Sequence, residues 1–193
     1  MAQDVIVINA FEVPPEADDP FIAGWERARD FLASRNAYAA TTLHRAIRPD
    51  VELRFVNVAR VDSQLWGDAI ADPEFPGSEM PFKAHRSLYE IVREDAMRDV
   101  AGGVVLINPF EVPADADEDF LAGWDRTREA LAPQRGYLGT RLHRSRAPAD
   151  FRFVNLARWS SPLAFSKAVA TAEFRQATAA RPFASHPALY QVI

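Results

Sequence analysis

Phe151-Arg-Phe-Val-Asn155-Leu-Ala-Arg158-Trp159 has an earlier counterpart in the same chain, Leu53-Arg-Phe-Val-Asn57-Val-Ala-Arg60-Val61. In the later copy Phe151, Phe153, Asn155, Ala157 and Trp159 alternate with Arg152, Val154, Leu156 and Arg158. A period of two in aromatic and β-branched residues predicts a strand. Alternate side chains on a strand share a face, so Asn155 and Trp159 are expected to look the same way. A side-chain amide and an indole N–H directed into apolar surroundings are costly unless something meets them. In the earlier copy the Trp position is Val61. That difference frames the question of function.

Working outward, the likeness extends over almost the whole chain. Val5-Ile-Val-Ile-Asn9-Ala-Phe11-Glu12-Val13-Pro14 matches Val104-Val-Leu-Ile-Asn108-Pro-Phe110-Glu111-Val112-Pro113. Ala23-Gly-Trp25 matches Ala122-Gly-Trp124, and Leu43-His44-Arg45 matches Leu142-His143-Arg144. Glu74-Phe75, Pro81-Phe82 and Leu88-Tyr89 recur as Glu173-Phe174, Pro182-Phe183 and Leu189-Tyr190. This is a tandem duplication of a unit of roughly 90–95 residues. Residues 1–93 are expected to form one domain and 104–193 the second, a covalent version of a two-fold dimer. Residues 94–103, polar and ending in Gly102-Gly103, read as a tether.

Each copy reads β-α-β-β-α-β. Strand one, 4–12 or 103–111, is closed by Pro14-Pro15 or Pro113. Helix one follows acidic capping signals at Asp18–Asp19 or Asp117–Asp119 and shows one apolar face through Phe21, Trp25 and Leu32, or Phe120, Trp124 and Leu131. Strand two is 38–45 or 137–144, helix two starts at Ser63 or Ser161, and the last strand is 87–93 or 188–193. That order is the ferredoxin-like split βαβ. The expected fold class is therefore α+β: two tandem ferredoxin-like domains packed sheet to sheet as an intramolecular dimeric α+β barrel, each copy covering the sheet face that the other's helices leave bare.

The 193 residues, 48% hydrophobic and 25% charged, are ordinary globular composition. A net charge of -5 offers no basic face, so neither nucleic acid nor an anionic membrane is expected as a partner. The absence of cysteine removes disulfides, thiolate metal sites and thiol nucleophiles. Met1-Ala-Gln-Asp4 does not resemble a leader and no apolar run is long enough to span a bilayer, so a cytoplasmic protein is expected. His85 and His186 precede the last strand while His44 and His143 lie on strand two; these strands are opposite edges of the sheet, so no metal site is expected within a copy.

With these motifs in hand, the chain resembles two fused domains of the antibiotic biosynthesis monooxygenase family, within the dimeric α+β barrel superfamily. The resemblance rests on Asn-x-Phe-x-Val-Pro at the end of strand one, the helix bearing Trp25 or Trp124, Gly136-Tyr137…Leu142-His143, and Phe153-Val-Asn155-x-x-x-Trp159 followed by Phe165 and Glu173-Phe174. Among family members it is most similar to the small anthrone oxygenases of aromatic polyketide pathways. That resemblance implies a cofactor-free reaction with O2 as co-substrate, with Asn155, Trp159 and His143 as catalytic residues. It implies substrate contacts at Tyr137, Phe153, Phe165 (where the family has Tyr) and Arg181, and at Asn57 and His44 in the first copy. The positions that the haem-degrading branch of the superfamily needs read Ala168 and Thr178, which argues against haem.

The chemistry asks for donors to a developing enolate oxygen and a proton acceptor. Asn and the indole N–H can donate, and His has a suitable pKa. Each residue also has a packing interpretation: a satisfied core amide for Asn155, core for Trp159, a structural role for His143 and His44, and for Asn9 and Asn108 a place at the strand end. Trp25 and Trp124, at helical spacing, read as core. The expected function is a cofactor-independent monooxygenase taking an anthrone-type polycyclic polyketide to its quinone. The alternatives are a polyketide cyclase or isomerase on the same substrates, or a non-catalytic small-molecule-binding pseudo-dimer. The expected partners are a small aromatic substrate and, by homodimerisation, a second copy of the two-domain chain.

Overall fold

The computed structural model describes residues 4–180 and 183–193. The chain divides into two compact units. The first runs to Glu90 and takes in Val192–Ile193; the second is Ile91–Gln191.

The first unit contains β1 (Asp4–Glu12), α1 (Asp18–Ser34), β2 (Tyr38–Ala46), β3 (Leu53–Asp62), α2 (Ser63–Ala71), a 3-10 turn at Pro76–Glu79, and β4 (Lys83–Glu94) as far as Glu90. β1 lies between β4 and β3, β2 flanks β3, and every pairing is antiparallel. Residues directly opposite in an antiparallel pair share a face. Val5, Val7, Asn9 and Phe11 therefore line up with Val61, Ala59, Asn57 and Phe55. Most of this face is buried apolar surface under the helices. Phe21 of α1 is fully buried and stacks on Phe55 at 4.3 Å, while Val5, Val7, Ala59 and Val61 pack against Trp66 of α2.

The second unit repeats the order with β5 (Val104–Glu111), α3 (Asp117–Leu131), β6 (Tyr137–Ser145), β7 (Phe153–Trp159), α4 (Pro162–Val169), α5 (Ala172–Ala177), β8 (Ala184–Ser185) and β9 (Ala188–Val192). β5 pairs with β7 on one side and with β8 and β9 on the other, and β6 flanks β7. The fold class is the expected one: α+β, two tandem ferredoxin-like units.

Three local features differ from the sequence reading, each for a physical reason. Asp18 and Asp117 sit in the first turns of α1 and α3 but cap nothing. Their carboxylates instead take bidentate bonds from Arg54 (2.9 and 2.6 Å) and Arg152 (3.0 and 2.7 Å), the Arg of the repeated strand motif. Charge-assisted fork pairs of this kind outcompete a backbone cap. Secondly, residues 94–103 are not a free tether. The Asp95 N–H donates to the Thr140 carbonyl and the Arg98 N–H to that of Leu138, so this stretch follows β6 and belongs to the second unit. Thirdly, the last strand is continuous in the first unit from Lys83, earlier than expected. In the second unit Pro187, which has no N–H to give to the ladder, splits it into β8 and β9.

Among the described residues no helix is long and apolar enough to cross a membrane, and no group of three or more His, Asp or Glu is placed to hold a metal ion.

Candidate functional site

A cavity of about 400 Å³ lies in the first unit between the helix-facing side of the sheet and α1, α2 and the 3-10 turn. That volume suits a small organic ligand. Its walls carry Trp25 and Leu32 from α1, Tyr38 from β2, Trp66 and Ile70 from α2, and Phe75, Met80 and Phe82 from the loop beyond. Two features of the chain leave this space open. Val61 stands where the second copy has Trp159, and Pro76-Gly77 allows only a 3-10 turn where the second copy builds α5.

Across the sheet face of the cavity runs a row of three polar side chains. Asn9 of β1 pairs with Asn57 of β3 on one side and with Arg86 of β4 on the other, so all three project to the cavity side. The Asn57 amide is oriented by Thr41, whose hydroxyl donates to Asn57 Oδ1 at 2.8 Å. This leaves the Asn57 NH2 group without a partner among the described residues. Asn9 Oδ1 is buried and likewise unpartnered. The Arg86 guanidinium lies 5.4 Å from the centre of the Trp66 ring. Arg86 is exposed as a residue, yet desolvation by the surrounding protein lowers its pKa below the usual guanidinium range. Among the described residues no carboxylate and no imidazole lines the cavity.

The equivalent residues of the second unit are arranged differently. Asn155 and Trp159 do share the helix-facing side of β7, opposite Asn108 and Val104 of β5. Thr140 donates to Asn155 Oδ1 at 2.7 Å, repeating the Thr41 contact. Trp159, however, is fully buried, held edge-on by Tyr137 and Phe165 at 5.5 Å each, and its indole nitrogen has no partner. The Tyr137 hydroxyl is committed to Asp95 at 2.6 Å, and desolvation followed by this bond raises its pKa. Phe153 is fully buried and stacks on Phe120 at 4.2 Å. Arg181 lies outside the described residues.

The structure does not bring His143 to Asn155. His143 pairs with Val154, and Leu142 is the residue opposite Asn155. One residue of offset places the imidazole on the other face of the sheet. There its Nδ1–H donates to the Val154 carbonyl at 3.1 Å, and burial pushes its pKa down to about 4. His44 repeats this placement, opposite Val56 and bonded to the Val56 carbonyl at 3.1 Å. Neither histidine reaches the side of its sheet that carries the asparagines.

Arg86, Asn9, Trp66 and Trp25 line the cavity although the sequence reading gave them no ligand role. Arg86 carried a usable signal. It falls between Ala84 and Leu88 on the inward parity of the last strand, and Pro187 stands in its place in the other copy. Trp66 restores to the first unit, from a helix, the indole that Val61 removes from the strand.

Comparison with known proteins fits this architecture. The antibiotic biosynthesis monooxygenase family model matches residues 103–180. No curated protein matches the chain. Among solved structures, an anthrone oxidase-like protein aligns over 98% of this chain and 91% of its own at 15% identity, with a TM-score of 0.77. The haem-degrading enzyme LmHde of Listeria monocytogenes aligns over 96% and 98% at 13% identity, TM-score 0.52. These two likenesses speak to fold alone. SnoaB of Streptomyces nogalater, a cofactor-independent oxygenase, is 30% identical over 47% of this chain and 93% of its own, with a TM-score of 0.43. Through the unit that carries residues 103–180, the chain belongs to the antibiotic biosynthesis monooxygenase family.

Proposed function

We propose that the protein is a cofactor-independent monooxygenase that converts an anthrone-type polycyclic carbon acid to its quinone with O2, and that the cavity of the first unit holds the substrate. The observation that carries this reading is the row Arg86–Asn9–Asn57 along one side of an aromatic-lined cavity of about 400 Å³. A flat polycyclic phenol fits between rings. The free NH2 of Asn57, held in place by Thr41, is a preorganised donor for the oxygen on which enolate charge develops. Family membership supports the reaction class, and SnoaB, described as a cofactor-independent oxygenase, supports the absence of a cofactor.

The steps balance without a further redox partner. The ring methylene loses a proton, giving an enolate. The enolate passes one electron to O2, and the resulting radicals combine to form a C–O bond. Protonation gives a hydroperoxide. Loss of water then breaks the O–O bond and the remaining C–H bond and leaves the ketone of the quinone. The protein's part is to hold the ring, lower the cost of the enolate and limit water at the hydroperoxide. With no imidazole or carboxylate among the described residues of the cavity wall, the first proton goes to water at the cavity mouth. This replaces the assignment of His143 as base.

The test is aerobic and anaerobic incubation of chelator-treated protein with anthrone, following quinone absorbance against the spontaneous rate. Oxygen- and protein-dependent acceleration that falls in Asn57→Ala is the expected result. Saturable binding of anthrone with no acceleration in either atmosphere would overturn the oxygenase reading in favour of a binding protein. A product isomeric with its substrate, or lighter only by water, would favour the cyclase alternative.

A further inference from the structure

Arg86 is more than a wall residue. Its guanidinium makes no ion pair or hydrogen bond with any described residue; its one partner is the face of Trp66, at 5.4 Å. An Arg laid on an aromatic face keeps its in-plane N–H donors available, and a partly desolvated guanidinium gains most by meeting an anion. Among the described residues the cavity wall contains no Asp or Glu to supply one. The other cation on the wall, Arg29, is already neutralised by Asp30 through bonds of 2.9 and 2.8 Å and lies over Trp25 at 5.2 Å. The cavity therefore presents one unsatisfied positive group beside a set of aromatic rings.

In the second unit the position of Arg86 is taken by a proline. Pro187 falls between Ser185 and Ala188, which face Phe110 and Ile107 of β5, and so occupies the level of Asn108 as Arg86 occupies that of Asn9. Proline offers neither charge nor donor. The duplication has thus kept the Asn pair in both copies and a cation at this strand position in one.

We propose that the cavity of the first unit binds a planar aromatic ligand bearing a carboxylate, and that Arg86 selects for that charge. As a statement about the substrate, this rests on the oxygenase reading above; as a statement about binding, it stands by itself. An aromatic acid would lie against Trp25, Tyr38 and Trp66 with its carboxylate on the Arg86 fork, which leaves the Asn57 amide for a ring oxygen.

The probes are anthraquinone-2-carboxylate and its primary amide, which share shape and differ in charge. Their dissociation constants are measured by calorimetry on the full chain at neutral pH. The wild type is expected to bind the carboxylate about 10- to 100-fold more tightly than the amide. Arg86→Gln is expected to remove the preference by weakening the carboxylate alone, and Arg86→Lys to retain part of it. A thermal melt checks that each variant is folded, and the lysine variant keeps the test intact if the glutamine variant is not. Equal affinities in the wild type, or an undiminished preference in Arg86→Gln, overturn the proposal. So does an Arg86 effect confined to kcat, which would make the residue a stabiliser of the enolate. Turnover of neutral anthrone is scored separately. Charge preference without turnover sinks the oxygenase reading and keeps this one; turnover without charge preference does the opposite.

Discussion

Asn57 and Asn155 occupy the same place in the repeat and differ in their surroundings. Asn57 is half-buried on the wall of an open cavity, whereas Asn155 is buried at 8% exposure. Removing one preorganised donor from an oxyanion typically costs about 10²–10³ in kcat. Asn57→Ala is accordingly expected to lose activity on that scale in oxygen-uptake assays, and at least about tenfold more than Asn155→Ala loses. The reverse order would move the site to the second unit. His143 gives a prediction about stability instead. Its pKa falls from 6.5 to about 4 in the folded state, chiefly through desolvation. Between those values the unfolded chain binds the extra proton and the native state does not, so stability is full above pH 6.5 and declines as pH falls toward 4. The loss across the window is on the order of 3 kcal/mol. Urea midpoints measured through this range should show that slope, and His143→Gln should flatten it. Alternation along the strand made the shared face of Asn155 and Trp159 legible. The same rule applied to strand two needs a register, and the observed one, with His143 opposite Val154 and His44 opposite Val56, puts both histidines on the far side. Local sequence does not contain that number.

At the scale of elements, the stretch 94–103 shows where composition misleads. Its polar residues and terminal glycines describe a tether, but its partners are distant in sequence and so invisible to a local reading. Asp95 accepts from Arg128 of α3 and from Tyr137 of β6, and those bonds hold its pKa below the usual carboxylate range. Gly139 makes the docking possible. Its φ of +115° is open to few residues besides glycine, and a methyl group there would collide with the Ala96 carbonyl and Met97. Gly139→Ala is therefore expected to destabilise the protein by roughly 2–4 kcal/mol, read as a lower urea midpoint. An unchanged midpoint would mean that the 95–98 stretch does not approach β6 so closely. Pro187 is the opposite case, because its effect could be read in advance: a residue without an N–H in a last strand predicts the break between β8 and β9.

At the scale of the whole chain, the duplication was legible because separated motifs recur in order, and the fold followed from it. The division of labour was not, because it depends on volumes. The loss of Trp at position 61 suggests a degenerate first copy when the strand is read alone. In three dimensions Val61 leaves room, Trp66 returns an indole from α2, and Pro76-Gly77 keeps the closing segment short. The Trp retained at position 159 is fully enclosed. The motif that best matches the family thus lies in one unit, and the cavity lined by Arg86, Asn9 and Asn57 in the other. If both units still acted alike, each chain would take two aromatic acids. The substitution of Pro187 for Arg86 and the enclosure of Trp159 argue for one. Calorimetric titration with anthraquinone-2-carboxylate should therefore saturate at one ligand per chain, with that site weakened about 10- to 100-fold in Arg86→Gln. Saturation at two, with one site unaffected by that substitution, would mean that the second unit also binds and that Asn155 faces a ligand after all.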